Sequence, residues 1–198
     1  MGKIFYVMGK SSSGKDTVYE ALLRRKELKL HKIVLYTTRP IRAGETDGLQ
    51  YHFVKEEKLQ ELLTEGKVIE LRRYDTVCGV WKYFTVDDEN MDLKEKDYLA
   101  IGTLESCKQL KDYYGEEVIV PLYIEVEDGI RLERALNRER KQENPNYEEL
   151  CRRFLADTSD FSKENLEKAK ILKKFYNNGE IGVCIEEIAR FIGEYFSR

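Results

Sequence analysis

The run Ile4-Phe5-Tyr6-Val7-Met8 is apolar at every position, short, and rich in β-branched and aromatic side chains. That is the pattern of a strand covered on both faces. After it, Val18, Ala21, Leu22 and Arg25 recur at helical spacing. Residues 32–36 predict a second short strand and 51–54 a strand fragment. Residues 56–65 predict a helix with Leu59, Leu62 and Leu63 on one face, stopped by Gly66. Short strands follow at 68–71 and 80–86, so residues 37–86 read as a small mixed, mostly antiparallel insert in a larger α/β body. A buried strand returns at 98–101, then a helix at 103–114 with Leu104, Cys107 and Leu110 inward, then a long β-like run at 118–126. Asp128 suits the N-cap of the next helix. Asn144-Pro145-Asn146 divides two charged helical stretches, and a last strand is expected near 171–176. An amphipathic helix at about 181–196 closes the chain, with Ile185, Ile188, Ala189, Ile192 and Phe196 in register.

Between the first strand and the first helix stands Gly9-Lys10-Ser11-Ser12-Ser13-Gly14-Lys15-Asp16-Thr17. Strand, glycine-framed loop and helix in that order make a phosphate-binding P-loop. Backbone N–H groups of the loop and of the helix start converge on one spot, and Lys15 adds a full positive charge there. The residue after the lysine is usually a Ser or Thr that meets Mg²⁺; here it is Asp16. Its carboxylate either binds Mg²⁺, directly or through water, or serves the helix dipole, and the sequence leaves both open.

The bulk composition narrows the partners. A chain of 198 residues is long enough for one domain with a well-buried core. A formal net charge of −3 excludes a generally basic, nucleic-acid-coating surface. The four cysteines form no C-x-x-C pair and there are only two histidines, so reduced thiols are expected rather than a Cys/His metal site. No apolar run nears the about 18 residues of a membrane span, and the first is too short for a signal peptide. The expected setting is the cytoplasm and the expected partners are small molecules, with neither nucleic acid nor membrane. The sequence does not give the oligomeric state.

Two arginine groups extend the chemistry. Thr37-Thr38-Arg39-Pro40-Ile41-Arg42, with Tyr51 nearby, sets two guanidiniums three residues apart on a turn, where both can aim at one phosphate. Arg131, Arg134 and Arg138 step along one helix face, with Arg140, Arg152 and Arg153 further on. This group reads either as a salt-bridged surface helix, given Glu133 and Glu139 among the arginines, or as an arginine-bearing lid over a transferring phosphoryl group.

The P-loop, then T-T-R-x-x-R with G-E-x-D-G and Y-x-F, then Ile69-Glu70, then a basic lid: in this order the chain resembles the guanylate kinase family along essentially its whole length. The resemblance implies an α/β fold with a P-loop parallel-sheet core flanked by helices (1–36, 87–127 and 158–198). It adds a small mixed-β insert that binds a nucleoside monophosphate (37–86) and a helical lid (about 128–157). It implies ATP and Mg²⁺, and phosphoryl transfer to a nucleoside monophosphate, GMP giving GDP. Carried over by position, Gly9 to Thr17 would hold ATP, with Lys15 on its phosphates and Asn177 near adenine. Arg39, Arg42 and Tyr51 would bind the acceptor phosphate, and Glu70 would read the acceptor base. Lys15, Arg39, Arg138, Arg140 and Arg152 would serve the transfer; Asp16, which departs from the family's Ser or Thr, stays open between metal partner and helix-dipole carboxylate. The chain departs from the family's guanine-reading set at Leu35, around Cys78 and Val80, and on the strand ending Ala100-Ile101-Gly102, which lacks two family aspartates. Another nucleotide or phosphorylated acceptor, or a non-catalytic binding module of this fold, therefore stays open.

Overall fold

The computed structural model describes residues 2–76, 79–87 and 91–196. Strand β1 (Ile4–Met8) is the middle of a five-stranded sheet of order β2-β7-β1-β8-β9, formed with β2 (Leu30–Lys32), β7 (Asp97–Gly102), β8 (Ile119–Glu125) and β9 (Lys174–Tyr176). Every pairing in it is parallel. Alternate β1 side chains face opposite ways, and both faces are covered, which is why the run carries no polar alternation. Ile4, Tyr6 and Met8 meet α3 (Leu104–Tyr114) and α6 (Lys163–Lys168) through Leu104, Cys107, Leu110 and Leu166. Phe5 and Val7 meet α1 (Lys15–Leu23) and α7 (Ile181–Phe196) through Val18, Leu22, Cys184, Ile188 and Ile192. Burial pushes the Cys107 thiol up to about 12 and the Cys184 thiol up to about 11, so both behave as small core hydrophobes.

A second, four-stranded sheet has the order β4-β3-β6-β5, from β3 (Tyr36–Thr37), β4 (His52–Phe53), β5 (Val68–Thr76) and β6 (Gly79–Val86). It is mixed: β3 and β4 run parallel, while β6 is antiparallel to β3 and β5. Helix α2 (Glu56–Thr64) covers it with Leu59 and Leu62 over Phe84 and Val86. Two further helices, α4 (Asp128–Glu139) and α5 (Tyr147–Asp160), follow β8, and Asn146 caps α5 by accepting from the Glu149 N–H at 2.9 Å.

Four sequence expectations change in detail. The single strand at 32–36 is two strands in two sheets, because residues 33–35 carry the chain from the core to the second sheet. Asp128 is the first residue of α4 rather than its cap: its carboxylate is taken by Arg131 and Lys10, and Glu127 precedes the helix without a side-chain cap. The last strand starts at Lys174, since the Ile171 N–H still bonds back to Leu166. Leu63 is exposed, and Phe196 is only partly covered, its ring meeting Phe5 edge-on at 6.2 Å.

Candidate active site

Strand β1 ends at the C-terminal edge of the sheet, and the loop after it turns tightly, with the Ser13 N–H donating to the Lys10 carbonyl at 3.1 Å. Ser12 (φ 64°) and Gly14 (φ 85°) are both left-handed, the conformation by which successive N–H groups are aimed into one concavity. Gly14 is required twice over: its φ strains any other residue, and a Cβ there would come within 2.7 Å of Asn177 Nδ2. Asn177, buried beneath the loop, donates through that atom to the Ser13 carbonyl at 2.8 Å. The Ser12 and Ser13 hydroxyls are buried without a partner among the described residues. Lys15 opens α1 with its Nζ 3.7 Å from the exposed Asp16 carboxylate, and Thr17 is exposed beside them. A curved N–H array, orphaned hydroxyls and a lysine fit a polyphosphate.

The loop is tied to the helices after β8. Asp157 on α5 accepts from the Ser11 N–H at 2.8 Å and from Arg131 Nη1 at 3.2 Å. Arg131 is 1% exposed, is held also by Asp128 at 3.0 Å, and lies 3.9 Å from the Phe154 ring centre. It is not part of an exposed salt-bridged face: it is the buried post joining α4, α5 and the P-loop. Lys10 reaches Asp128 at 3.3 Å. Burial works against the Asp128 charge, but hydrogen bonds from Arg131 and Lys10 hold its carboxyl below the usual range.

Arg138 and Arg140 are exposed and do not line the cavity described below. Arg152 lines it while pairing with Glu149 at 2.6 Å. Its neighbour Arg153 lines it too and comes closest to the loop, with Nη2 3.4 Å from Ser11 Oγ.

On the second sheet, Arg39 is buried and gripped by Glu45, Nη2 to Oε1 at 2.7 Å and Nη1 to Oε2 at 3.0 Å. It lies 5.6 Å from the Tyr51 ring centre and 5.3 Å from that of Phe53. Arg42 is exposed over Trp81, and its N–H also donates to Glu45 at 2.7 Å. Asp47 closes the turn by accepting from the Phe53 N–H at 2.7 Å. Glu45 and Asp47 thus build the arginine loop. Among the described residues no cluster of three His, Cys, Asp or Glu could hold a metal ion.

Glu70 is buried and already engaged at both oxygens. Oε1 accepts from Thr85 Oγ1 at 2.9 Å and Arg72 Nη2 at 3.2 Å; Oε2 accepts from Ser106 Oγ at 3.0 Å and Arg72 Nε at 3.1 Å. Arg72 was not singled out in the sequence, although its i, i+2 spacing from Glu70 puts both on one face of β5. Val77 and Cys78 lie outside the described residues, and Val80 is exposed at the start of β6.

A cavity of about 1020 Å³ joins these parts. It runs from Gly9, Ser11, Lys15 and Asp16 past Leu35, Arg72 and Gly102 to Tyr51, Trp81 and Tyr83, with Arg152 and Arg153 on one wall. One end offers a phosphate cradle and the other an aromatic floor next to an arginine loop, which is room for two ligands in line.

The guanylate kinase family model matches residues 1–162. The chain is 23% identical to the guanylate kinase of Porphyromonas gingivalis over the full length of both. It is 30% identical to that of Caldanaerobacter subterraneus over 77% of this chain and 70% of the relative. The crystal structure of guanylate kinase from Anaplasma phagocytophilum has the same fold, with TM-score 0.60 and 22% identity, covering 98% of this chain and 86% of that one. A match over four fifths of the sequence, starting at the P-loop strand and running through the second sheet, the α4–α5 pair and every core strand but β9, leaves one assignment: the chain belongs to the guanylate kinase family.

Proposed function

We propose that the protein transfers the γ-phosphoryl group of ATP to a nucleoside monophosphate, GMP giving GDP. The observation that carries this is the cavity running from the P-loop lysine to the aromatic floor of Tyr51, Trp81 and Tyr83, against which the Arg39 and Arg42 guanidiniums stack. In this reading the second sheet with α2 receives the acceptor, and α4 with α5 covers the phosphates. Lys15 and the loop N–H groups hold the ATP phosphates. Arg39, set by Glu45, takes the acceptor phosphate with Arg42 and Tyr51. Arg153 and Arg152 offset the charge spread over the oxygens of the transferring group.

Catalysis here is positioning plus charge stabilisation, with no covalent protein intermediate. Mg²⁺, when bound with ATP, would supply positive charge that offsets the negative charge of the phosphates. It usually keeps several waters and needs few protein ligands, so the lone carboxylate of Asp16 at the loop's edge suits it. The intact P-loop with its lysine favours an enzyme over a binding module of the same fold.

The test is ADP release with Mg·ATP and a panel of GMP, AMP, CMP and UMP, repeated with Lys15→Ala. Turnover with GMP is expected. The variant should lose kcat by about 100-fold or more with its melting temperature unchanged, because the Lys15–Asp16 pair is solvent-facing and adds little stability. No turnover with any acceptor, or a wild-type rate in the variant, defeats the proposal.

A further inference from the structure

The part of the cavity between the P-loop and the aromatic floor is built differently from the acceptor site that the family resemblance implies. Glu70 is the expected reader of the base, yet its side chain is 1% exposed and absent from the cavity wall. Each of its oxygens already accepts two hydrogen bonds, from Arg72, Thr85 and Ser106. A carboxylate so committed gains nothing by meeting the N1–H and 2-amino groups of guanine, because it must first give up partners of equal quality.

The group that faces the cavity here is Arg72. Its side chain is 19% exposed and lines the wall, with Nε and Nη2 on Glu70. Nη1 is directed towards Gly102, 3.5 Å from where a Cβ on that residue would stand. Gly102 itself offers no polar side chain, and a Cβ there would overlap Tyr6 Oη. Glu105, the carboxylate of this wall next along α3, accepts from Gln109 Nε2 at 3.1 Å on its own helix. Glu70 neutralises Arg72, so the pair attracts an uncharged hydrogen-bond acceptor rather than a second phosphate or a carboxylate.

We infer that Arg72, held in place by Glu70, reads the acceptor base through its hydrogen-bond acceptors, O6 and N7 of a 6-oxopurine, and that the 2-amino group goes unread. Arg donating to O6 and N7 is the commonest specific contact between a side chain and guanine. The substrate class is therefore 6-oxopurine nucleoside monophosphates, with IMP accepted as well as GMP. AMP is rejected, because its 6-amino group turns a donor toward the guanidinium. This assignment rests on the kinase reading above. Glu70 becomes a positioning residue, and Arg72 the residue that meets the base.

The experiment measures kcat/KM of the full chain for GMP, IMP and AMP, with calorimetric binding of the same nucleotides, for wild type and Arg72→Lys. The lysine keeps the charge beside Glu70 and removes the planar fork. IMP is expected within about threefold of GMP, and AMP lower by about 100-fold or more. Arg72→Lys should raise KM for GMP and IMP by about tenfold or more, with kcat and the KM for ATP little changed. A GMP preference over IMP of about 100-fold, a kcat/KM for AMP equal to or above that for GMP, or an unchanged KM in a folded Arg72→Lys overturns the assignment and leaves the kinase reading standing. If Arg72→Lys does not fold, the wild-type GMP-to-IMP ratio decides alone. If nothing turns over, the kinase reading fails; Arg72-dependent binding of GMP and IMP would still uphold the base assignment, and no binding overturns both.

Discussion

The carboxylate of Asp157 accepts a hydrogen bond from the Ser11 backbone N–H at 2.8 Å, so a helix more than a hundred residues downstream holds the P-loop by its main chain. The same carboxylate binds Arg131, whose guanidinium is sealed between α4, α5 and the loop. The phosphate cradle and the helices over it are therefore tied together, and loop geometry depends on charges far from it in sequence.

Removing the post should cost more than removing the clasp. Arg131→Ala leaves Asp157 without a cation and Asp128 with Lys10 alone, and should destabilise by about 3–5 kcal/mol. Asp157→Ala leaves Arg131 its Asp128 partner, and should cost about 1–3 kcal/mol while raising the KM for ATP. Urea unfolding of both variants, with ATP kinetics for the second, checks this; equal and small losses would mean the network contributes little.

The core was legible in the sequence because strands covered on both faces leave continuous apolar runs, and β1, β7 and β8 all lie close to their predicted places. The P-loop was legible because its glycines and lysine are local. What was not legible depends on tertiary pairing. Arg131 looks like any charge on a helix face until Asp157 is folded against it. Tyr6 reads as one more strand aromatic, though its hydroxyl fills the place of a missing strand acid. Glu70 could be named from its position, but its saturation by Arg72, Thr85 and Ser106 brings together three segments far apart in the chain.

The arginines of the α4–α5 region should separate by their reach. Arg153 lines the cavity 3.4 Å from Ser11 Oγ, beside the proposed phosphate cradle, whereas Arg138 and Arg140 are exposed away from the cavity. Arg153→Ala should lower kcat by about 100-fold, Arg152→Ala by less, and Arg138→Ala or Arg140→Ala by less still. Single-turnover rates at saturating ATP and GMP rank them. A larger loss at Arg138 than at Arg153 would mean that the helices rearrange before transfer.

Acid should weaken the acceptor site before it unfolds the protein. The Arg39 guanidinium holds the Glu45 carboxyl below the usual carboxylate range, with the Arg42 N–H assisting against a burial penalty. A folded-state pKa below the unfolded value gives a contribution that is complete above the unfolded pKa and is lost as pH falls through the folded one. Below the ordinary carboxylate range, then, protonated Glu45 releases Arg39 and the KM for the acceptor rises. Glu45→Gln should show the raised KM at neutral pH and a flatter acid limb. An identical pH profile in the variant would place the titration elsewhere.

The absence of an acid at position 102 has a steric cause that can be measured. A Cβ on Gly102 would stand in the space of Tyr6 Oη, and 3.1 Å from Tyr6 Cζ, so the tyrosine and the glycine are choices made together. Gly102→Ala alone should destabilise by about 1–3 kcal/mol through overpacking. In a Tyr6→Val background the same change has room, and should cost less by about 1 kcal/mol or more, a coupling that denaturant unfolding of the four proteins in the cycle would reveal. Additive single effects would show that something other than Tyr6 excludes a side chain there. A clear coupling would mean that restoring an aspartate to this strand requires the tyrosine to leave first, and with it the buried hydroxyl beside Arg72.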